Sequence, residues 1–446
     1  MIVKNRLEIE NTIYRSQAID IIEAGINSVL PPNVIPRYIK FDPELNILSI
    51  RGVKHVLKGR VFIVGGGKAS GAMAETLETI ITTPMLIEGI VTCKGGTYHT
   101  NKTRVVPAGH PIPDNNGIMA VHEMLNLKTK YGIGNNDTVV CLLSGGGSSL
   151  LPCPGDGVSL EDKQLVTKMM LASGAPITDV NTVRKHLSLV KGGGLGQFFA
   201  PAKVISVIIS DVIGNDLSVI ASGPTYPDLT TFGDALKVLE KYHLFNEIPS
   251  NVFRRLTMGE MGLIPDNPKQ LTNCYNYIIA DNKLALKAMK LKAVKLGLNP
   301  VIVTATQQGD PGIMAKLRAN EIIERKYGSH NAIIIGGETT PILPRTHGVG
   351  GRNQHFVATS LLEMNRYEGE LVVASVGTDG TDYIPDVAGA IIDKATITTI
   401  IKKKIDVRRY IEKFDSFNLL SVLGRSLIVT GETGTNVGDI SLYLLN

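Results

Sequence analysis

The 446-residue chain has no tryptophan and only four cysteines. The missing tryptophan excludes nothing by itself, but the cysteines restrict the chemistry. Cys93, Cys141, Cys153 and Cys274 are scattered without a Cys-x-x-Cys spacing, and three lie in or beside apolar runs. That pattern reads as buried thiols, not as a metal site or a disulfide framework. Histidine is sparse too, at nine residues, with no HExxH or paired-ligand spacing. No run of 18 apolar residues occurs, and the opening "MIVKNRLEIENTIYRSQAIDII" is charged throughout. Neither a membrane span nor a secretory leader is expected, and the cytoplasm is the default location. Blocks of five or six basic residues are absent, and a net charge of +5 over this length is too mild to argue for nucleic acid. The sequence leaves assembly into a homo-oligomer open.

Glycine, by contrast, is plentiful: 46 of 446 residues, much of the excess in a few clusters. Hydrophobic content of 43% and charged content of 20% describe an ordinary globular protein, and the length suits two domains. Apolar residues near helical spacing from Ile13 to Leu30 predict an opening helix stopped by Pro31 and Pro32. Strands are then expected at 61–64, 86–93, 137–143, 203–209, 275–280, 299–304, 331–335, 371–376 and 426–430. Helices are expected between most of them, at 69–82, 116–130, 159–172, 231–243, 282–296, 313–327 and 353–364. Such alternation, with continuous apolar strands, predicts parallel sheets covered on both faces. Residues 244–272 break the rhythm with turn signals and are the expected domain boundary.

The stretch "VFIVGGGKASGAMAE", residues 61–75, takes an apolar strand into Gly65, Gly66, Gly67 and Lys68 and restarts as a helix. Glycines at a helix N-terminus let bare N–H groups face an anion. Neither standard phosphate fingerprint fits, however. Phe62 and Ala69 occupy the flanking Gly and Ser/Thr positions of a Walker motif, and Ser70 stands where a dinucleotide fold has its third glycine. The pattern recurs five times. "TVVCLLSGGGSSLL" ends its strand in Ser144, Gly145, Gly146, Gly147, Ser148 and Ser149, and "VISVIISDVIGND" in Ser210 and Asp211. "AIIIGGETT" ends in Gly336, Gly337 and Glu338, "LVVASVGTDGTD" in Thr378 and Asp379, and "LIVTGETGTNVGD" in Thr433, Thr435 and Asn436. The carboxyl ends of strands line the ligand crevice in parallel α/β sheets, so six such loops predict one shared site.

The chemistry on offer is phosphate-like. Glycine backbone and hydroxyls wrap phosphoryl oxygens, Lys68 and Arg352 neutralise charge, and Asp211 and Asp379 can hold Mg²⁺ through oxygen. Arg352 stands out in "GVGGRNQ", with glycines before it and Asn353 after it, in neither an apolar stripe nor a charge ladder. The cations Arg184, Lys185 and Lys191 of "NTVRKHLSLVKGGGLG" are each more simply read as solvated surface groups. In "AGHPIPDNNG" two prolines and His110 make a rigid loop, and Asp114 or Asn115 is a good helix cap.

Together these stretches resemble the glycerate 2-kinases of the MOFRL family (class II, GckA/TtuD-like). The resemblance runs over nearly the whole chain, through GGGKA, GHPIPD, LLSGGGSSLL, VNTVRKHLS, VKGGGL, SDVIGND, ASGPT, GGETT, GVGGRNQ, GTDGTD and GETGTNVGD. It implies an ATP-dependent, Mg²⁺-assisted kinase that phosphorylates the 2-hydroxyl of D-glycerate. It also implies a Rossmann-like three-layer α/β/α domain over 1–255, a smaller α/β MOFRL-type domain over 270–446, and an active site in the cleft between them. By motif position, Lys68, Arg352 and Asp211 are the catalytic residues and Asp211 and Asp379 the metal ligands. Gly66, Gly67, Ser144, Gly145, Gly146, Gly147, Ser148, Glu338, Asn353, Thr435 and Asn436 bind substrate or nucleotide. The chain departs from the family pattern at Gly194, Asn215, Tyr383 and Glu432.

Two other classes compete. A dehydrogenase would suit a Rossmann-like fold, but no GxGxxG with an acidic residue about 20 positions on follows the first strand. A non-enzymatic nucleotide or sugar-phosphate sensor would bind without turnover, and has little use for a lysine, an arginine and two aspartates at loop ends.

Overall fold

The computed structural model describes residues 1–82 and 84–446. The chain divides into two compact units, one formed by Val34–Ile279 and the other by Met1–Asn33 with Ala280–Asn446.

The first unit opens with a small antiparallel meander, β1 (Ile39–Asp42), β2 (Ile47–Ile50) and β3 (Val53–Val56). Its main sheet comprises β4 (Val61–Gly66), β5 (Leu86–Cys93), β6 (Thr103–Pro107), β7 (Thr138–Ser144), β8 (Lys203–Ile209) and β9 (Cys274–Ala280). The order is β6-β5-β4-β7-β8-β9, and every pairing from β6 through β8 is parallel. Numbered within the sheet this is 3-2-1-4-5-6, the doubly wound order. β4 and β7 are buried along their whole length, which is why they read as unbroken apolar runs. The helix Asn115–Tyr131 packs its buried Val121, Met124 and Leu127 into the core beside Phe62, Val139 and Leu143. Asp114 caps that helix, accepting from Gly117 N at 2.9 Å, as its position predicts.

The second unit holds β10 (Pro300–Gln307), β11 (Ala332–Gly337), β12 (Leu371–Gly377), β13 (Val387–Asp393), β14 (Leu427–Val429) and β15 (Asp439–Leu445), in the order β10-β11-β15-β12-β13-β14. Here the expectation of a parallel sheet is corrected. Only β10 and β11 are parallel, and the remaining pairings are antiparallel. Two strands run in reverse: β13, and β15, the C-terminal "DISLYLL", which enters between β11 and β12. Its first residue, Asp439, therefore lies opposite the last residues of both neighbours, Gly337 and Gly377.

The units also differ from the expected spans 1–255 and 270–446. Residues 250–260 form a helix, not a linker, and its buried Val252 and Leu256 join a core with Phe232, Leu239 and Val166. The first 33 residues belong to the second unit, because Arg15, 2% exposed, pairs with Asp393 at 2.6 Å and donates to Thr396 Oγ1 at 2.9 Å. Asp20 likewise meets Lys292 at 2.9 Å. Pro31 and Pro32 follow the helix Ile13–Ser28 but begin another, Pro31–Tyr38, at positions where a missing N–H costs nothing.

Candidate functional site

The doubly wound order changes direction between β4 and β7, and the crevice outside the carboxyl ends of the strands at such a switch point is where ligands bind. Gly66 pairs with Leu143 and Ser144 with Ile209, so Gly67–Lys68, Ser144–Ser148 and Asp211 leave the same edge of one sheet. The loops are tied together. Lys68 N donates to Gly145 O at 2.8 Å, Gly67 N to Thr92 O at 3.1 Å, and Ala69 N to Ser144 Oγ at 2.9 Å. Ser144 is fully buried and holds the two loops in register. Gly146 has φ +80°, and a Cβ there would come within 3.3 Å of Lys68 Cγ and 3.0 Å of His110 Nε2. Lys68 and His110 thus flank one bare stretch of backbone, a conformation and a clearance that glycine alone supplies cheaply. The loop carrying His110 is docked in turn by Ser149 Oγ, which donates to Pro111 O at 2.7 Å.

Ser148 is half-buried and its hydroxyl meets Ser222 Oγ at 2.8 Å; Ser222 Oγ reaches Asn181 Oδ1 at 3.2 Å. Ser222 and its neighbour Ala221 both have positive φ, +62° and +51°. Non-glycine residues held there are strained by order 1 kcal/mol each, and such strain clusters at functional sites. Neither Ser222 nor Asn181 is among the residues expected to bind, although both fall inside motifs that carry the family resemblance.

In the second unit the site is built on the carboxyl ends of β11 and β12 and the reversed start of β15. Arg352 begins the helix Arg352–Glu363. Its Nε and Nη2 fork onto Asp439 Oδ2 and Oδ1 at 2.7 and 2.9 Å, and Nη1 meets Glu338 Oε1 at 2.8 Å. Burial alone would lower the pKa of Arg352, but the carboxylates of Asp439 and Glu338 raise it above the ordinary arginine value. Three of its five N–H groups are engaged in this way, leaving two for a ligand.

Asn353 is almost wholly buried and fully engaged, donating to Asp439 Oδ1 at 3.0 Å and accepting from Ser375 Oγ at 2.5 Å. It positions Asp439. Asp382 accepts from the backbone N–H of Asn353 and Gln354 at 3.0 and 2.8 Å, an anion seated at the helix start. Burial pushes its carboxyl up to about 6, although those two N–H groups pull the other way. Gly351 is required for that seat, since a Cβ there would fall 2.3 Å from Asp382 Oδ1.

Asp379 Oδ1 accepts from Thr381 N at 3.1 Å. A Cβ on Gly377 would lie 3.2 Å from Asp379 Oδ1 and 3.6 Å from Asp439 Oδ1, so the missing side chain leaves a cradle between two carboxylates. Oxygen-only donors of this kind fit Mg²⁺, which keeps waters and phosphate oxygens and needs one or two carboxylates. Among the described residues no three His, Cys, Asp or Glu side chains converge on a point, so a closed cage for a tighter-coordinating metal is not built.

Thr435 Oγ1 donates to Val29 O at 2.7 Å and Asn436 Oδ1 accepts from Gly438 N at 3.2 Å. Both shape the loop before β15; Thr435 does so from a buried position. Sequence reasoning passed over Asp439 and Asp382, the two carboxylates that organise Arg352 and Asn353. Asp439 was legible as the last residue of GETGTNVGD, and Asp382 as the last of GTDGTD. No helix among the described residues is long and apolar enough to cross a membrane.

Comparison with known proteins agrees with this layout. Residues 17–257 match a domain of unknown function, DUF4147, and residues 331–439 match the MOFRL family. A glycerate 2-kinase of Pyrococcus horikoshii is 35% identical over 442 residues, spanning 96% of this chain and 98% of the relative. A putative hydroxypyruvate reductase of Agrobacterium vitis is 34% identical across 91% of each chain. The crystal structure of a glycerate kinase from Thermotoga maritima matches with a TM-score of 0.83 at 36% identity, covering 97% of this chain and 99% of that one. The likeness runs along nearly the whole length of each chain, and the chain belongs to the MOFRL family of glycerate kinases.

Proposed function

We propose that the protein transfers the γ-phosphoryl group of ATP to the 2-hydroxyl of D-glycerate, giving 2-phosphoglycerate and ADP in the cytoplasm, without a nucleic-acid or membrane partner. The observation that carries this reading is Lys68 and its glycine loops at the β4/β7 switch point. In the transfer, the bond from phosphorus to the oxygen bridging the β and γ phosphates breaks. A bond to the glycerate oxygen forms and the hydroxyl proton is released. The transition state is loose, so positioning and charge neutralisation do most of the work.

Backbone N–H groups of Gly145–Gly147 and the ammonium of Lys68 meet negative charge at one sheet edge. At the other, Arg352 offers its two remaining N–H groups to a carboxylate or phosphoryl oxygen, held at a fixed angle by Asp439 and Glu338. Asp211 after β8 and Asp379 after β12 are each carboxylates that would hold Mg²⁺ bound with the nucleotide, and the ion would neutralise phosphoryl oxygens. A reductase reading is disfavoured by the first βα loop, where Ser70 replaces the third glycine of the dinucleotide fingerprint.

Lys68→Ala tests the proposal. A cation lost from the transition state costs about 3 kcal/mol, on the order of a hundredfold in kcat. A folded variant with near-normal turnover would assign Lys68 to the surface.

A further inference from the structure

One cavity meets the switch-point loops at Ser148 and is otherwise lined mainly by residues not yet given a role. It has a volume of about 580 Å³ and belongs wholly to the first unit. Its lining includes the cations Lys163, Lys168, Arg184 and Lys191 and the apolar Ile112, Leu165 and Leu171; Lys168 is exposed, and the other three cations are not.

These three are unusual for how little opposes them. Lys191 is 2% exposed and its ammonium donates to Ser148 O at 2.8 Å. Lys163 Nζ is shut off from solvent and meets no hydrogen-bond partner among the described residues. Arg184 lies in the last turn of the helix Ile177–His186. Burial holds all three below their ordinary pKa values, Lys163 down to about 7, and Lys163 and Lys191 are lowered further by repulsion from the other cations of the set. Among the described residues no carboxylate is a cause that pulls Lys163 or Lys191 back up. Glu161, which also borders the cavity, is exposed. Three desolvated like charges without a counter-charge make a poor core but a prepared seat for a multiply charged anion.

The apolar part of the lining narrows the class of anion. Ile112, Leu165 and Leu171 are 67%, 47% and 58% exposed, although each is a large apolar side chain. A three-carbon acid would leave most of this apolar lining bare, whereas the volume is that of pockets holding ring-bearing ligands. The cavity is also continuous with the glycine loop of the switch point, since Ser148 belongs to both.

We propose that this cavity seats a nucleoside polyphosphate, its phosphates on the half-buried Arg184 with the uncompensated charge of Lys163 and Lys191 behind it, and its base against Ile112, Leu165 and Leu171. The assignment rests on the kinase reading above and locates its nucleotide. An anionic acceptor acid shares the carboxylate-and-phosphate chemistry of these cations, so the test separates the two.

Calorimetric titration of the full chain with ADP, and separately with D-glycerate, is made on the wild type and on Lys163→Met, Arg184→Gln and Leu165→Glu. Each variant is expected to raise the Kd for ADP at least tenfold while leaving that for D-glycerate within twofold. Because the cations repel, Lys163→Met and Arg184→Gln are expected to melt no lower than the wild type. Loss of D-glycerate binding with ADP unchanged would overturn the nucleotide assignment and give the cavity to the acceptor. No change in either affinity would overturn the site altogether. Should a cation variant fail to fold, Leu165→Glu decides alone, at an exposed position: unchanged ADP affinity there refutes the proposal. ADP binding that depends on these residues in a protein unable to phosphorylate glycerate would support the cavity and sink the kinase reading instead.

Discussion

Replacing Arg352 by lysine keeps the charge and discards the fork. In the structure the guanidinium makes two charge-assisted hydrogen bonds to Asp439, at 2.7 and 2.9 Å, and a third contact to Glu338 at 2.8 Å. An ammonium can satisfy one of these acceptors but cannot span both oxygens of Asp439 and reach Glu338 as well. The Glu338 contact is worth little, because that carboxylate is 40% exposed. The Asp439 pair weighs more, since that side chain is 9% exposed. It keeps Asn353 as a donor at 3.0 Å, so the loss is close to one charge-assisted bond. That is about 2 kcal/mol, or roughly 4–8 °C in melting temperature for a unit of this size. Turnover should suffer more. A bidentate clamp on a transferring group is worth about 3 kcal/mol in the transition state, so kcat should fall on the order of a hundredfold. Steady-state kinetics with ATP and D-glycerate, alongside thermal unfolding, separate the two effects. A variant that melts lower but keeps its kcat would make Arg352 a brace for β11, β12 and β15 and nothing more, and the clamp would have to be abandoned.

Metal dependence and pH give independent checks. EDTA should abolish activity and Mg²⁺ restore it, and Asp211→Asn should raise the Mg²⁺ concentration for half-activity; an unchanged requirement would remove Asp211 from the metal's surroundings. His355 is stacked on Phe414 with ring centroids 4.2 Å apart, its Nδ1 is buried without a hydrogen-bond partner among the described residues, and burial lowers its pKa to about 4. Between pH 6.5 and 4 the unfolded chain binds a proton that the native ring refuses, so stability falls as pH drops through that window, by about 3 kcal/mol in all. The raised carboxyl of Asp382 acts in the opposite direction, but equally in wild type and variant. Chemical denaturation at pH 7, 5.5 and 4.5 should therefore show a steeper loss in the wild type than in His355→Gln, and equal slopes would refute the assignment.

What was legible in the sequence was local. The runs Val61–Val64 and Val139–Leu143 are apolar because both faces of β4 and β7 are covered, and the glycines after them mark loops without reference to anything distant. Short strands such as β1 to β3, four residues each, carry too little periodicity to be seen. Other features depend on partners far along the chain. Arg15 looks like a charged residue on a surface helix until Asp393, 378 positions away, is placed beside it. Asp439 was readable as a loop end, but its role follows only from the antiparallel entry of β15, which sets it against Gly337 and Gly377 together. Arg184 and Lys191 were read as solvated because they sit in a polar motif, whereas Lys191 is 2% exposed and Arg184 half-buried, both lining one cavity.

The central claim is that the chain phosphorylates the 2-hydroxyl of D-glycerate with ATP, and a phosphorus NMR spectrum of the reaction tests it most directly, because turnover and position are read together. The account predicts that ATP and D-glycerate with Mg²⁺ give ADP and a phosphomonoester whose phosphorus is split by the single proton on carbon 2. A signal split by the two protons of carbon 3, or an unchanged ATP spectrum in the presence of folded protein, would contradict it.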